Sequence, residues 1–321
     1  MASGKEVQRG LGRMSPFLFT FDVHPRLDLN EKLAGCLDYL QSIDLRATFF
    51  VPAILISEYR LGPLLRRLVA DGHQLGGHGL LHRPPENFLT DSLPTQLEAL
   101  ARSKDLLEQE VQTRVTAFRA PTFMLSATTM RALEETGYEA DLSVNPQRLG
   151  LLSSQPGNLG WLTSPRSPYH PSHTTPFRAG RMRIWEIPTS SFLVPFTSLL
   201  YQSLGLAVAR GFTRGLLAES RLMRRPVVYL CHPEELMAST YVRPRYPRTI
   251  KALIPKRNGG IALRNWFYER DEQKIFELSM SMMAFFGGLD GVEYLTVNEY
   301  LERLNQAAND GLARTGDGAG D

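Results

Sequence analysis

The chain has few cysteines and a small net charge. Its 321 residues include only two cysteines, Cys36 and Cys231. Two thiols cannot build the disulfide framework of a small secreted domain, and their scarcity suits a reducing compartment. The formal net charge of +3 is small for this length and gives no support for a nucleic-acid partner. We therefore expect a cytoplasmic protein that binds no nucleic acid.

Long apolar segments are also missing. The N-terminus, MASGKEVQRGLGRM, has no apolar core of a signal peptide. The nearest candidate for a span, residues 192–209, is free of charges, but it contains Pro195 and Gly205 and is more typical of an amphipathic or buried helix than of a membrane span. With 43% apolar residues the chain can bury a sizeable core. We expect one domain over residues 14–305, between disordered termini at 1–13 and 306–321.

Short apolar runs alternate with segments of helical spacing along most of the chain. LFTFDVH, ATFFVPA and PVVYLCHP have the composition of buried strands, and NEKLAGCLDYLQS between the first two has helical periodicity. Repeated strand–helix units predict parallel strands covered by helices, in a barrel or a doubly wound sheet. Residues 147–180, rich in Pro, Ser, Gly and Arg, interrupt the pattern and predict a functional or mobile loop.

Chemically active side chains are concentrated where the predicted strands end. Function in such folds sits at the carboxyl ends of the strands. Four of the seven histidines lie there. The strand-end residues are Asp22, His24, His78, His82, Arg119, Asp141, Glu186, His232 and Glu234.

The stretch FTFDVHPR ends the first strand with an acid and an imidazole. Side chains alternate along a strand, so Asp22 and His24 should share a face while Val23 turns to the other. Pro25 then ends the ladder. The pair could form half of a metal-and-base site, or it could be an ordinary strand end.

The stretch GGHGLLH places His78 and His82 four residues apart. If the segment turns helically, both imidazoles lie on one side, a common spacing for two ligands of one divalent metal. The alternative is a pair of surface or capping histidines. Because the motif follows an apolar strand, we favour the metal site.

Three further strand ends each allow a catalytic and a structural interpretation. Arg119, followed by Pro121, could pair with a carboxylate or form a surface salt bridge. His232 could donate a proton or simply bond a backbone carbonyl. Asp141 could orient a neighbour or cap a turn.

Taken together and in order, the motifs TFDVH, HGLLH, FRAP, DLSVNP and YLCHPEE resemble those of the polysaccharide deacetylases, the NodB-homology domain of carbohydrate esterase family 4. The resemblance runs from about Phe17 to Leu301, and five ordered motifs are far more specific than any one. It implies a distorted (β/α) barrel with parallel strands and outer helices. It also implies metal-dependent removal of an N-acyl group, most simply N-acetyl, from an amino sugar of a glycan or lipid-linked glycan precursor.

One position departs from the family. Its members commonly carry two adjacent aspartates, the first a general base and the second a metal ligand beside two histidines. Here Val23 takes the second place. Branches that read D-V-D or D-V-E shift the ligand by one residue, and His24 stands at that shifted position. The resemblance thus implies one divalent metal, expected to be zinc, on His24, His78 and His82. The alternative makes Asp22 a ligand and His24 a sugar contact.

The resemblance also implies roles for the remaining site residues. Asp22 would be the general base and Arg119 would hold it ionised. His232 would donate a proton to the leaving amine. Leu230, Pro121 and Asp141 would contact the substrate.

Two questions stay open from the sequence. Residues 243–264 hold seven Arg or Lys and no acid, which indicates either a solvated basic loop or contact with a sugar-diphosphate lipid or an anionic membrane. The activity could instead be that of a related deformylase or ring-amide hydrolase, or the chain could be a non-catalytic sugar-binding relative. Retention of Asp22, Arg119 and His232 together argues against the last.

Overall fold

The computed structural model describes residues 14–147, 160–242 and 269–316. Its strands are β1 (Ser15–Asp22), β2 (Thr48–Val51), β3 (Gln74–Gly77), β4 (Ala117–Phe118), β5 (Ala140–Asp141), β6 (Pro171–Ser172), β7 (Thr175–Ala179), β8 (Trp185–Glu186), β9 (Ser191–Phe192), β10 (Val194–Pro195), β11 (Val227–Cys231) and β12 (Val292–Leu295). Its helices are α1 (Leu29–Ser42), α2 (Leu55–Glu58), α3 (Gly62–Ala70), α4 (Leu93–Val111), α5 (Ala127–Glu135), α6 (Gly160–Thr163), α7 (Leu199–Leu204), α8 (Leu206–Met223), α9 (Glu272–Gly287) and α10 (Val297–Gly316).

The main sheet is parallel and centred on β1. Its order is β11-β1-β2-β3-β4-β5-β8, and β12 also pairs with β1. Strand β1 aligns Phe17–Phe21 with β11, while its two halves pair with β12 and β2. Because all these strands run in one direction, their carboxyl ends meet at one end of the sheet.

The pleat of β1 divides the core into two layers. Phe17, Phe19 and Phe21 belong to the larger cluster, which includes apolar side chains of the surrounding helices. Leu18 belongs to a smaller cluster with Phe50 and Val228 from neighbouring strands. The smaller cluster fills the inside of a curled sheet, as the predicted distorted barrel requires.

Residues 187–198, which follow β8 and include the β9–β10 hairpin, bridge the gap between β5 and β11. The N–H of Ile187 donates to Asp141 O at 2.8 Å, and that of Ser190 donates to Val228 O at 3.2 Å. The N–H of Ser198 donates to Leu230 O at 2.9 Å. The sheet is therefore a half-barrel with an irregular seam.

Several element boundaries differ from the predictions. Residues 192–209 do not form one helix but a short hairpin, α7 and the start of α8, because Gly205 breaks the helix with a φ of 83°. Helix α1 begins at Leu29, one residue before the predicted segment NEKLAGCLDYLQS. Asp28 takes the N-cap position, and Asn30 donates to Tyr59 O. None of the helices in the described part of the chain has the length and hydropathy to cross a bilayer.

Other predicted segments are described only in part. The N-terminus 1–13 and residues 148–159 of the Pro-rich loop lie outside the described residues, while β6 and β7 form a hairpin in the remainder of that loop. The tail expected to be disordered begins at residue 306, yet α10 continues to Gly316. The basic segment 243–264 lies outside the described residues.

Candidate active site

The end of β1 delivers Asp22 to the interior of the barrel. Asp22 is 4% exposed, whereas Val23 is completely buried in the larger core. Arg119, which is fully buried at the end of β4, donates from Nη1 to Asp22 Oδ1 at 2.8 Å. The same Nη1 donates to Thr20 Oγ1 at 3.0 Å, and Nε donates to Leu142 O at 3.0 Å. The guanidinium is therefore held by three neighbours around one carboxylate.

This pairing sets the charge of Asp22. Burial by itself would raise its pKa, but the positive charge of Arg119, with smaller contributions from the nearby histidines, lowers the pKa to about 2. Asp22 is consequently ionised near neutral pH. An ionised carboxylate is the form that can accept a proton.

His24, His78 and His82 converge beside Asp22. The ring centroids of His24 lie 5.9 Å from His78 and 4.7 Å from His82, and those of His78 and His82 are 4.8 Å apart. One nitrogen from each ring lies within 4.8 Å of the other two. Three imidazoles this close fit the donor set of a divalent metal such as zinc.

The protonation of these rings also fits a metal. His78 Nδ1 lies 2.7 Å from Arg119 O, and because a carbonyl only accepts, this nitrogen carries the proton and leaves a lone pair on Nε2. The Nε2 atoms of His78 and His82 are both buried without a hydrogen-bond partner among the described residues. Burial lowers the pKa of His78 to about 3 and also lowers the pKa values of His24 and His82. All three rings are neutral near pH 7, as metal ligands must be.

The segment that carries His82 is a loop and not the helical turn that the spacing predicted. Gly79 and His82 have φ angles of 79° and 57°. Glu86 holds the loop, because its carboxylate accepts from the N–H groups of Leu80 at 2.7 Å and His82 at 3.1 Å. Sequence reasoning missed Glu86, and an acid four residues after the histidine was the only available signal.

His232 completes the cluster from the end of β11. Its ring lies 4.7 Å from that of His24. Glu235 accepts from the His232 N–H at 3.1 Å and lies 3.3 Å from Nδ1. Burial alone would lower the pKa of His232, but the carboxylate of Glu235 raises it to about 9. His232 is therefore protonated at neutral pH and can donate a proton. Sequence reasoning missed the role of Glu235.

The three residues predicted to contact substrate have different settings. Leu230 pairs in register with Thr20 and shares the interior face of β11 with Val228. Pro121 begins a short 3₁₀ turn, and its Cγ lies 3.1 Å from where a Cβ on Gly79 would be, so it packs against the His82 loop.

The sequence predicts that Asp141 contacts the substrate, but the structure places it away from the open part of the site. It is completely buried, and its carboxylate accepts from the Ser143 hydroxyl at 2.6 Å. Ser143 Oγ in turn accepts from the Ala120 N–H at 2.7 Å. Asp141 thus holds the backbone next to Arg119 and offers no exposed surface to a substrate.

With this geometry in place, comparison with known proteins identifies the relatives. Residues 13–140 match the polysaccharide deacetylase family. The matched part contains Asp22, the three clustered histidines and Arg119, but not His232. The resemblance inferred from the five motifs is confirmed.

Three individual proteins that are similar to this chain can be named. YheN of Bacillus subtilis (strain 168), a provisionally assigned polysaccharide deacetylase, is 27% identical over 136 residues, which are 41% of this chain and 45% of YheN. The match thus spans less than half of YheN. A provisionally assigned polysaccharide deacetylase from Mycobacterium smegmatis superposes with a TM-score of 0.58 at 18% identity, over 92% of both chains. The structure of peptidoglycan deacetylase PdaC from Bacillus subtilis gives a TM-score of 0.46 at 14% identity, over 95% of this chain and 98% of that one. The superposition on the mycobacterial protein confirms the predicted distorted (β/α) barrel.

Proposed function

We propose that this protein is a metal-dependent hydrolase that removes an N-acyl group, in the simplest case N-acetyl, from an amino sugar. One observation carries the proposal. A neutral three-imidazole cluster, an ionised carboxylate and a protonated imidazole meet at the carboxyl end of one parallel sheet. Hydrolysis of an amide needs these three functions, namely an electrophile, a base and an acid.

His24, His78 and His82 would hold the metal. The assignment of His24 in place of Asp22 is supported by the environment of Asp22, whose carboxylate is already engaged by Arg119. When bound, a divalent ion would polarise the substrate carbonyl and favour ionisation of water. Arg119 O accepts from His78 Nδ1 and so fixes the tautomer of this ring.

The remaining residues supply proton transfer. Asp22 accepts the proton of the attacking water, and Arg119 keeps it ionised between turnovers. His232 donates a proton to the nitrogen of the breaking amide bond, so the amine leaves neutral. Glu235 keeps His232 protonated until that step. Leu230, on the same interior face, would lie beside the small acyl group.

We further propose that the sugar belongs to a glycan or to a lipid-linked glycan precursor. The support is the family match together with the apolar surface described below. The deformylase and ring-amide alternatives would give different products, formate in the first case and a ring-opened acid in the second, so the product decides between them.

The test combines metal analysis with product identification. Purified protein should carry about one divalent metal per chain, and it should release acetate from N-acetylglucosamine oligomers or from a polyprenyl-diphosphate N-acetylglucosamine. His24→Ala should lose metal, while His24→Asp should keep it with altered activity. Formate or a ring-opened acid in place of acetate would favour a related hydrolase. Metal binding with no turnover of any amide would favour the non-catalytic alternative, and full metal content in both His78→Ala and His82→Ala would refute the proposed site.

A further inference from the structure

Two large apolar side chains are displayed at the tip of the hairpin formed by β9 and β10. Phe192 is 56% exposed and Leu193 is 59% exposed. Leu193 has a φ of 64°, a left-handed conformation that is unfavourable for a residue with a branched apolar side chain. The turn exposes Leu193 to solvent, where this side chain cannot contribute to the packing of the core. The strained conformation therefore indicates a role other than stability.

The exposed face of α8 continues this apolar surface. Val208 near its start is 49% exposed, and Leu222 near its end is 76% exposed. Between them, a Cβ added at Gly211 or Gly215 would meet no heavy atom within 4 Å, so this face is flat and open. The hairpin adjoins the helix, because the guanidinium of Arg166 lies 5.7 Å from the Phe192 ring and donates to Glu219 of α8.

The charge on α8 and in the residues next to it is mostly positive. Glu219 is the only acid between residues 192 and 224, and it is bonded to both Arg166 and Arg225. Four other arginines lie on or next to α8, and none of them pairs with a carboxylate among the described residues. They are Arg210, Arg214, Arg221 and Arg224. The surface therefore combines exposed apolar groups with uncompensated positive charge.

We propose that this face is a docking surface for an anionic lipid bilayer. We define the docking surface as the hairpin tip Phe192 and Leu193 together with the exposed face of α8 from Val208 to Leu222. A bilayer interface is the partner that accepts aromatic and aliphatic side chains at shallow depth while its headgroups neutralise flanking arginines. Helix α8 has 18 residues and would lie in the interface plane for about 27 Å.

The docking surface adjoins the catalytic end of the barrel. Ser198, just before α7, donates to Glu235 at 2.9 Å, and Gln202 within α7 donates to the same oxygen at 3.0 Å. Helix α8 begins directly after α7. Docking would therefore hold His232 and Glu235 close to the headgroups. The docking proposal rests on the surface alone and stands whether or not the proposed reaction is correct.

The test is vesicle co-sedimentation of the full chain. The protein should bind phosphatidylcholine vesicles that contain about one third phosphatidylglycerol much more strongly than pure phosphatidylcholine vesicles, and high salt should weaken the binding. Phe192→Ser combined with Leu193→Ser should weaken it about tenfold or more. Arg214→Ala and Arg221→Ala should each weaken it about fivefold.

Matched controls lie on other faces. Ile43→Ser removes an aliphatic side chain of similar exposure, and Arg102→Ala removes an exposed arginine of α4; both should bind like the wild type. Circular dichroism of each variant verifies folding. No binding by the wild type, equal binding to both vesicle types, or unchanged binding of the hairpin variant would overturn the proposal. The last result would move the lipid contact to another segment, such as the basic segment 243–264. Self-association in sedimentation velocity that the hairpin variant abolishes, without vesicle binding, would make this face an interface between two copies.

Discussion

Arg119 is the residue that connects the proposed base with the proposed metal ligands. Its side chain donates to Asp22, and its backbone carbonyl accepts from His78 Nδ1. The buried guanidinium lies 4.4 Å from the Phe50 ring, which further limits its movement. One residue thus fixes both the charge of the base and the tautomer of a proposed ligand, because its backbone and side chain point into the same small volume.

Asp22→Asn tests the role of the base. The amide is nearly isosteric but cannot accept the proton, so kcat should fall by about two to four orders of magnitude. Metal content should be retained, since the three histidines are untouched. Metal analysis and initial rates measured side by side check this, with Asp105→Asn on the exposed face of α4 as the control. Near-normal turnover would show that Asp22 is not the base.

Glu235→Gln tests the role of the acid. The carboxylate of Glu235 raises the pKa of His232, which burial alone would lower. Replacing it with an amide should lower that pKa, so His232 loses its proton at lower pH. The alkaline limb of the kcat profile should then move to lower pH, whereas a merely structural loss would reduce kcat without moving the limb. Glu234→Gln, the adjacent acid with a smaller influence on His232, should move it less.

At the scale of elements, the strands position the site and the loops after them adjust it. Strand β1 presents Asp22 by its pleat, and β11 presents His232 two residues beyond Leu230. The loop after β3 needs more support, since it leaves the sheet in a left-handed conformation at Gly79 and returns His82 toward the cluster. Glu86 supplies that support through backbone hydrogen bonds.

Gly79→Ala should disturb this loop. Its φ is 79°, and the added Cβ would collide with the Glu86 carboxylate and crowd Pro121. We expect a loss of more than about 1 kcal/mol in the free energy of unfolding, together with weaker metal binding. Gly211→Ala on α8 is the matched control. Its Cβ meets no neighbour, so it should stabilise the protein by about 0.5–1 kcal/mol. Urea unfolding of both variants measures the contrast, and two losses of equal size would contradict it.

For the whole molecule, buried neutral histidines make stability depend on pH. His73, at the amino end of β3, is 5% exposed, and its Nδ1 accepts from the Ala47 N–H at 3.2 Å. Burial lowers its pKa from 6.5 to about 4. As the pH falls from 6.5 toward 4, the unfolded chain takes up a proton that the folded chain excludes, so the free energy of unfolding decreases.

His73→Gln should flatten this dependence. The shift corresponds to roughly 3 kcal/mol across the interval, and the variant should lose that much less stability than the wild type between pH 6.5 and pH 4. The clustered histidines contribute equally to both proteins, so the difference between the two curves isolates His73. Urea unfolding at several pH values measures it, with the exposed His173→Gln as the control. Parallel curves for wild type and His73→Gln would disprove the assignment.

The sequence by itself determined the strands that carry the site and the faces on which their residues lie. Asp22 and His24 could be placed together, and Val23 in the core, because strand alternation is a local rule that does not depend on distant residues. The parallel architecture followed from the order of strands and helices. The order of five motifs indicated the resemblance to the polysaccharide deacetylases, although each motif alone was ambiguous.

Only the tertiary structure decided the partners of those residues. Asp141 is buried behind Ser143, Glu235 is held by Ser198 and Gln202, and the His78–His82 segment is a loop. Gly205 also divides a segment that its composition presented as one helix. These outcomes depend on contacts between residues far apart in the chain, or on left-handed backbone angles that periodicity does not reveal. The energy of such contacts depends on burial and geometry, which exist only once the sheet has curled.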